Sequence, residues 1–369
     1  MIDRLRRLLG RALERGVSPR TLRNLRRELR QSALAKVGIV IVLFMVAMAT
    51  FAPLVAPHNP NQQNLGESEN PPLGFSTQET KEVTVQENGS VVIENGTPKT
   101  EERTVYQNAS IAHPLGTDAN GRDVLSRVIY GARTSMLVGI LGTLLAAVVG
   151  VTVGLTAGYY GGRVDDALMR GADIMLAFPS LVLAIALVGV WGNAVKRIAD
   201  PIVTSGLSET LRPMAGLETG MPETVVIPGT VVIVVALVNW VWFARVARGE
   251  ALSLRQEEYV KAARALGASD RYIIARHVLP NAITPIIVLG TIQVAAIILL
   301  ESALSFLGFS GTSLSWGFDI ALGRQYQSTS WWISAMPGLA IVLTVIGLNL
   351  LGDWLRDALD PDIGGEGGV

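Results

Sequence analysis

Cysteine is absent from this sequence, and histidine occurs three times, at His58, His113 and His277, far apart in the chain. The first absence excludes a disulfide framework, a thiolate metal site and a cysteine nucleophile. No Gly-Lys-Ser/Thr triplet occurs, so there is no P-loop, and neither His-Glu-x-x-His nor Gly-x-Ser-x-Gly is present. No nucleophile–base pair or metal-ligand cluster stands out in the sequence, which argues against an intramembrane enzyme. Charge is scarce as well: 17% of the 369 residues are Asp, Glu, Lys or Arg, and the formal net charge is zero. What remains is apolar, 49% of the chain, with a positive mean hydropathy. That balance predicts an all-α polytopic membrane protein.

A bilayer core of about 30 Å takes about 20 apolar helical residues. Six stretches qualify, near 34–56, 132–158, 174–192, 225–243, 283–305 and 332–352. The first follows an Arg-rich leader, 1–33, that runs from Arg4 to Arg30. Its apolar run is full length and more spans follow, which reads as an uncleaved first helix rather than a signal peptide. Within the leader, Ser18 and Pro19 predict an N-cap and first helical residue. The basic leader places the N-terminus in the cytoplasm. Six spans then return the C-terminus, with its flexible tail 362–369, to the same side. The stretch 244–282 falls inside and carries Arg245, Arg248, Arg255, Lys261, Arg264, Arg271 and Arg276, whereas 57–127 falls outside and is acidic.

The external segment contains Asn-Gly twice between β-prone runs, which predicts a small β-meander near 81–107. Three Asn-x-Ser/Thr sequons, at Asn88, Asn95 and Asn108, make it either a glycosylated cap or a tolerated insertion with unused sequons.

The cytoplasmic stretch from Gln256 to Asn281 is polar yet patterned. Tyr259, Ala262, Ala263 and Leu266 recur at i, i+3, i+4, i+7, one stripe of a short helix. Gly267 falls where a left-handed C-cap would end it. Ser269 or Asp270 then caps a second short helix through Ile273, Ile274, His277 and Val278, with Pro280 expected to end it. On pattern alone, such helices either dock a partner or lie on the bilayer interface. The spacing Lys261-Ala262-Ala263, Gly267, Leu279-Pro280 resembles the cytoplasmic "EAA…G…LP" loop of ABC-importer permeases, with Lys261 in the place of the leading Glu and His277 at an Ile position. "HPLGTDANGRDVLSRVIYGARTSMLVG", "ESALSFLGFSGTSLSWG" and "WWISAMPGLAIVLTVIGLNLLGDWLRDALDP" look like the C-type subunit of oligopeptide and dipeptide permeases, over most of 113–192 and 225–361. The insert at 70–110 and the loop near 196–222 are longer than that pattern.

The resemblance implies a non-enzymatic transport subunit that binds no cofactor itself. ATP and magnesium would sit on two partner ATP-binding subunits. It further implies a homologous B-type permease, an extracellular substrate-binding protein, a lipid bilayer around the spans and no nucleic acid. Tyr259, Lys261, Ala262, Ala263, Leu266 and Gly267 would form the coupling helix that seats in the ATP-binding subunit. The expected cargo is di- or oligopeptide, with a nickel complex or a sugar as the alternative. An ion-coupled secondary transporter would want buried ionisable pairs at mid-membrane, which are sparse here. Glu301, Asn239, Gln293 and Asn349 are the polar residues within spans, candidates for a path or gate or for cross-helix hydrogen bonds. Gly150, Gly154 and Gly158 form two overlapping Gly-x-x-x-Gly motifs that predict close helix crossing, within the chain or against a second permease.

Overall fold

The computed structural model describes residues 29–30, 32–84, 86–87, 90–91, 93–94, 97–98 and 100–359, with the backbone alone for 78–107. The leader from Arg4 to Arg27, the sequons at Asn88 and Asn95, and the tail 362–369 lie outside the described residues.

Helix α1 (Ala33–Thr50) starts where Ser32 accepts the Ala35 N–H on its Oγ at 3.1 Å, as an N-cap should. A short turn of helix, Ala52–Val55, follows it. Strands β1 (Ser76–Thr84) and β2 (Thr100–Asn108) then form one antiparallel ladder, from Ser76↔Asn108 to Thr84↔Thr100. Inside the loop it closes, Gln86–Glu87 pairs with Ser90–Val91 and Ile93–Glu94 with Thr97–Pro98. The insert is therefore a long ladder with two hairpins at its tip, not a meander. Each Asn-Gly dipeptide stands between the halves of its own two-residue hairpin, so neither turn leads into a third long strand.

The second span belongs to α2 (Val124–Tyr160), 37 residues and hence about 55 Å long. Asp123 caps it, its Oδ2 accepting the Ser126 N–H at 2.7 Å. The third span differs from the expected 174–192. Helix α3 (Gly162–Ala177) and helix α4 (Ser180–Trp191) meet at 92° across Phe178 and Pro179. Proline disfavours helix at the residue before it, which fixes the break. α3 carries Arg163, Asp165, Asp166, Arg170 and Asp173, too much charge for hydrocarbon. Among the described residues, five helices are long and apolar enough to cross a bilayer, with a sixth crossing if the bent pair is one span.

The loop after α4 pairs strand β3 (Lys196–Ala199) with β4 (Thr224–Ile227) around helix α5 (Leu207–Met214). Helix α6 (Gly229–Leu254) continues past the expected end at 243, because the Ala- and Arg-rich run from Ala244 favours helix. The first part of the expected cytoplasmic stretch, 244–254, with Arg245 and Arg248, is thus the end of this helix, and the chain leaves it at Arg255. The rest of the stretch holds helix α7 (Glu258–Ala265), and then Asp270–Ile273 passes through a π turn, Ile274–Val278, into α8 (Leu279–Phe306). Pro280 does not end the second short helix as expected. The π turn, with Leu279 N–H on the Ile274 carbonyl, loosens the spacing just ahead of the proline ring, so the helix bridges into the fifth span. Helix α9 (Trp316–Gly323) and helix α10 (Trp332–Leu359) complete the chain.

Helix α2 is the mast. Three apolar clusters lie along it: Val124, Val128, Ala132 and Met136 with Trp316 and Trp332 at the external end; Val138 with Val231, Val235 and Ile297 in the middle; Leu155 and Tyr159 with Phe243, Ala247, Val260 and Ile273 at the cytoplasmic end. Its glycines meet α6. A Cβ on Gly150, Gly154 or Gly158 would stand 2.2, 2.2 or 2.5 Å from the carbonyl oxygens of Trp240, Ala244 and Arg248. The overlapping small-residue motifs thus serve packing within the chain.

Candidate functional site

The cytoplasmic end of the bundle carries a helix pinned on one side and bare on the other. Within α7, Val260 is fully buried and Ala263 packs beside it, in the cluster that holds Tyr159, Phe243, Ala251, Ile273 and Val278. Those residues come from α2, α6 and the chain entering α8, so a push on α7 reaches three spans at once. The opposite face has no cover among the described residues: Tyr259 is 41% exposed and Leu266, just past the helix, 88%, and Tyr272 in the next turn is 54% exposed. Ala262 and Lys261 are exposed with them, and Lys261 Nζ approaches Glu258 Oε1 at 3.3 Å. Of the sequence stripe, Ala263 therefore turns inward while Tyr259, Ala262 and Leu266 face out. The buried anchor, Val260, was not on that stripe. An eight-residue helix has two faces, and a period of 3.6 does not say which one the fold will use. Partial burial pushes the Tyr259 phenol above its ordinary pKa, with Glu257 adding to the shift.

Gly267 ends α7 at φ +83°. Ala268 N–H donates to the Ala263 carbonyl at 3.1 Å and Gly267 N–H to that of Arg264 at 3.0 Å, a Schellman close. A Cβ there would meet nothing within 4 Å. The requirement for glycine is thus one of backbone conformation, not of space.

Polar ties hold the platform beneath. Tyr159 Oη donates to Asp270 Oδ1 at 2.8 Å, and the Arg264 guanidinium lies 5.0 Å over the Tyr159 ring. Arg255 donates to the Gly158 carbonyl at 3.0 Å. Arg248 grips Asp165 of α3 through two hydrogen bonds, 2.5 and 2.7 Å, and Arg245 reaches Asp173 at 2.8 Å. The bent helix α3 is thereby tied to α6.

The polar residues within spans divide. Glu301 is 1% exposed and accepts from Ser135 Oγ at 2.8 Å, Ser305 Oγ at 2.5 Å and Ser302 Oγ at 3.4 Å. It joins α8 to α2 near their external ends. Asn239 is buried and donates to the Val235 carbonyl of its own helix at 2.8 Å. Gln293 is buried, and its Nε2 has no hydrogen-bond partner among the described residues. Asn349 alone of the four is exposed. Replacing Ser135 with Ala is expected to lower stability by about 1–2 kcal/mol through the lost bond to buried Glu301. Thermal aggregation of the detergent-solubilised variant checks this.

Sequence reasoning missed the buried arginines at the external end. Arg127 donates from Nε to Asp319 Oδ1 at 2.7 Å, from Nη1 to the Pro60 carbonyl at 3.1 Å and from Nη2 to that of Ser313 at 2.7 Å. Arg212 of α5 donates to the carbonyls of Pro53, Ala56 and Pro57, at 3.0, 2.7 and 3.1 Å. Arg133 pairs with Asp200. The one available signal was an arginine in the first turns of an apolar run. Asn108 stands exposed at the end of β2.

A bundle of spans, closed at its external end by buried ion pairs and presenting a pinned, half-bare helix to the cytoplasm, is the architecture of a membrane permease. The chain belongs to the family of binding-protein-dependent transport system inner membrane components, which matches residues 150–365, and is a multi-pass protein of the cell membrane. Residues 21–72 match the N-terminal transmembrane domain of oligopeptide transport permease C. The chain is similar to the dipeptide transport system permease protein DppC of Alkalihalophilus pseudofirmus, at 33% identity over 91% of this chain and 88% of the relative. It is also similar to the di/tripeptide transport system permease protein DppC of Pseudomonas aeruginosa, at 33% over 88% and 87%. The glutathione transport system permease protein GsiD of Pectobacterium atrosepticum is 36% identical over 68% of this chain and 73% of its own length. Among solved structures, one of the MetNI methionine ABC transporter in inward-facing conformations covers 63% of this chain and 97% of its own, at 16% identity and a TM-score of 0.44.

Proposed function

We propose that this chain is the C-type permease of an ATP-driven importer of short peptides, and that an ATP-binding subunit seats on the bare face of α7. One observation carries the reading. Tyr259 on α7, Leu266 at its end and Tyr272 in the turn that follows are left open, while Val260 locks the other face of α7 into the ends of three spans. Such a helix passes a partner's movement to the spans and biases the bundle between two arrangements. The chain has no P-loop, so ATP and magnesium act on two partner subunits. A homologous B-type permease completes the path. An extracellular binding protein delivers the cargo to the external end. The peptide cargo is supported by relatives named for dipeptides, di- and tripeptides and glutathione.

The test is co-purification from the native membrane under mild detergents. The expected eluate holds a second permease and P-loop ATPases; elution of the chain alone under several detergents defeats the reading. Within the complex, Gly267→Val places a β-branched residue at φ +83°, which strains the turn by at least about 1–2 kcal/mol. The variant is expected to insert in the membrane and assemble weakly, with peptide uptake lost. Uptake at the parent rate would remove α7 from the coupling route.

A further inference from the structure

Two of the three histidines in the chain come together on the extracellular side. His58 follows the first span, His113 follows the β insert, and their rings stand 4.5 Å apart between centroids. Both face Asp123, the N-cap of α2: His113 Nδ1 lies 2.9 Å from Oδ1, and His58 Nδ1 lies 3.8 Å from Oδ2. One donor atom from each of the three residues falls within 4.8 Å of the others. On the far side of the ring, Glu67 Oε2 lies 2.8 Å from His113 Nε2 and orients the imidazole. His113 and Asp123 are buried, and His58 is partly covered.

A hydrogen-bond network explains only part of this. The Nδ1 of His58 is a buried atom with no hydrogen-bond partner among the described residues. Such an orphan calls for a ligand or an ion. The neighbouring donors set its chemistry: two imidazoles and one carboxylate are a zinc-type set, and too rich in nitrogen for calcium or magnesium. Donors on a tetrahedral zinc stand about 3.3 Å apart, given bonds of ~2.0 Å. The 2.9 and 3.8 Å separations bracket that edge. The outer shell is in place too. Ser126 N–H donates to Asp123 Oδ2 at 2.7 Å, and Ser126 Oγ accepts the His58 N–H at 3.0 Å. A polar cavity of about 240 Å³, lined by His58, Gln62, Asn64, Glu67, His113 and Asp123, gives an ion a way in.

We infer that His58, His113 and Asp123, with Glu67 holding His113 from behind and water in the fourth position, form a binding site for a zinc-type divalent ion that clips the extracellular segment to the start of α2. In a chain without cysteine, a metal is the available staple for an external segment of this length. The ligands come from before the β insert, after it, and the cap of the mast. Closing that loop with an ion therefore fixes the whole external face.

The test uses the full-length chain, purified with a tag that contains no histidine run and stripped with a chelator. Zn2+ is then titrated in competition with a chromophoric chelator. One equivalent per chain is expected, with a higher melting temperature when zinc is present. His58→Ala and His113→Ala should each weaken binding by at least ~10-fold to 100-fold, whereas His277→Ala on the cytoplasmic side should retain it. Co2+ in the unaltered chain should give the intense visible absorption of a tetrahedral site, a readout that survives if the variants fail to fold. The absence of a saturable equivalent in the folded chain would overturn the site. So would binding that persists in the His58/His113 double variant, or a cluster whose stability responds to pH but not to zinc.

Discussion

Asp319→Ala is expected to destabilise the protein by up to about 3–5 kcal/mol, because it leaves buried Arg127 with only Asp118, whose Oδ2 is 4.0 Å from its Nε and already takes Arg122 at 2.6 Å. The Arg127 and Asp319 side chains are 3% and 6% exposed. They join α9 to the first turn of α2, and Arg127 also holds the carbonyls of Pro60 and Ser313. Its removal would be felt by the segment after the first span, by α2 and by the loop before α9. The measurement is the melting temperature of the solubilised chain, together with its elution as a single peak. The paired variant Arg127→Met with Asp319→Leu is expected to recover most of the loss, since a buried ion pair replaced by apolar groups of similar size is often neutral or better. If the single and paired variants fall equally, packing and not charge holds the corner.

Gly154→Ala is expected to damage the fold more than its one methyl group suggests. That methyl would stand 2.2 Å from the Ala244 carbonyl oxygen and 2.9 Å from the Ala244 Cα. Both contacts are backbone and cannot rotate aside. The helices α2 and α6 must part, at about 1–3 kcal/mol or more for the overpacking. The comparison is Gly290→Ala in α8, where a Cβ meets nothing within 4 Å. There the gain in helix propensity, up to about 1 kcal/mol, is unopposed. Opposite shifts of melting temperature in the two variants are the expected result. Equal shifts would mean that α2 and α6 do not pack on these glycines.

Much of this architecture was written locally. Runs of about 20 apolar residues gave the long spans, and the arginines of the leader and of 245–276 gave their direction. The turn at Gly267 was legible because the left-handed conformation and the end of a short periodic stretch coincide at one residue. The spacing Ala262-Ala263, Gly267, Leu279-Pro280 marked the short-helix loop for the same reason: all its parts lie within one stretch of chain. The 92° bend was half legible, since Pro179 announces a break but not the angle.

The tertiary structure alone decided what depends on residues distant in sequence. Nothing local joins Arg127 to Asp319, or His58 to His113 and Asp123. Those pairings exist because α2 stands at the centre and brings the external ends of several elements to one place. The same holds for α7. Its period offered two faces, and only the apolar cluster beneath it, built from α2, α6 and α8, chose Val260 for burial and left Tyr259 and Leu266 outside. Glu301 belongs here too: the sequence showed a carboxylate late in a span, and the serine of another helix made it a tie. Hydrophobic length and backbone conformation act within a few turns, so sequence fixes them. Buried charge and face selection are settled by what the rest of the chain places opposite.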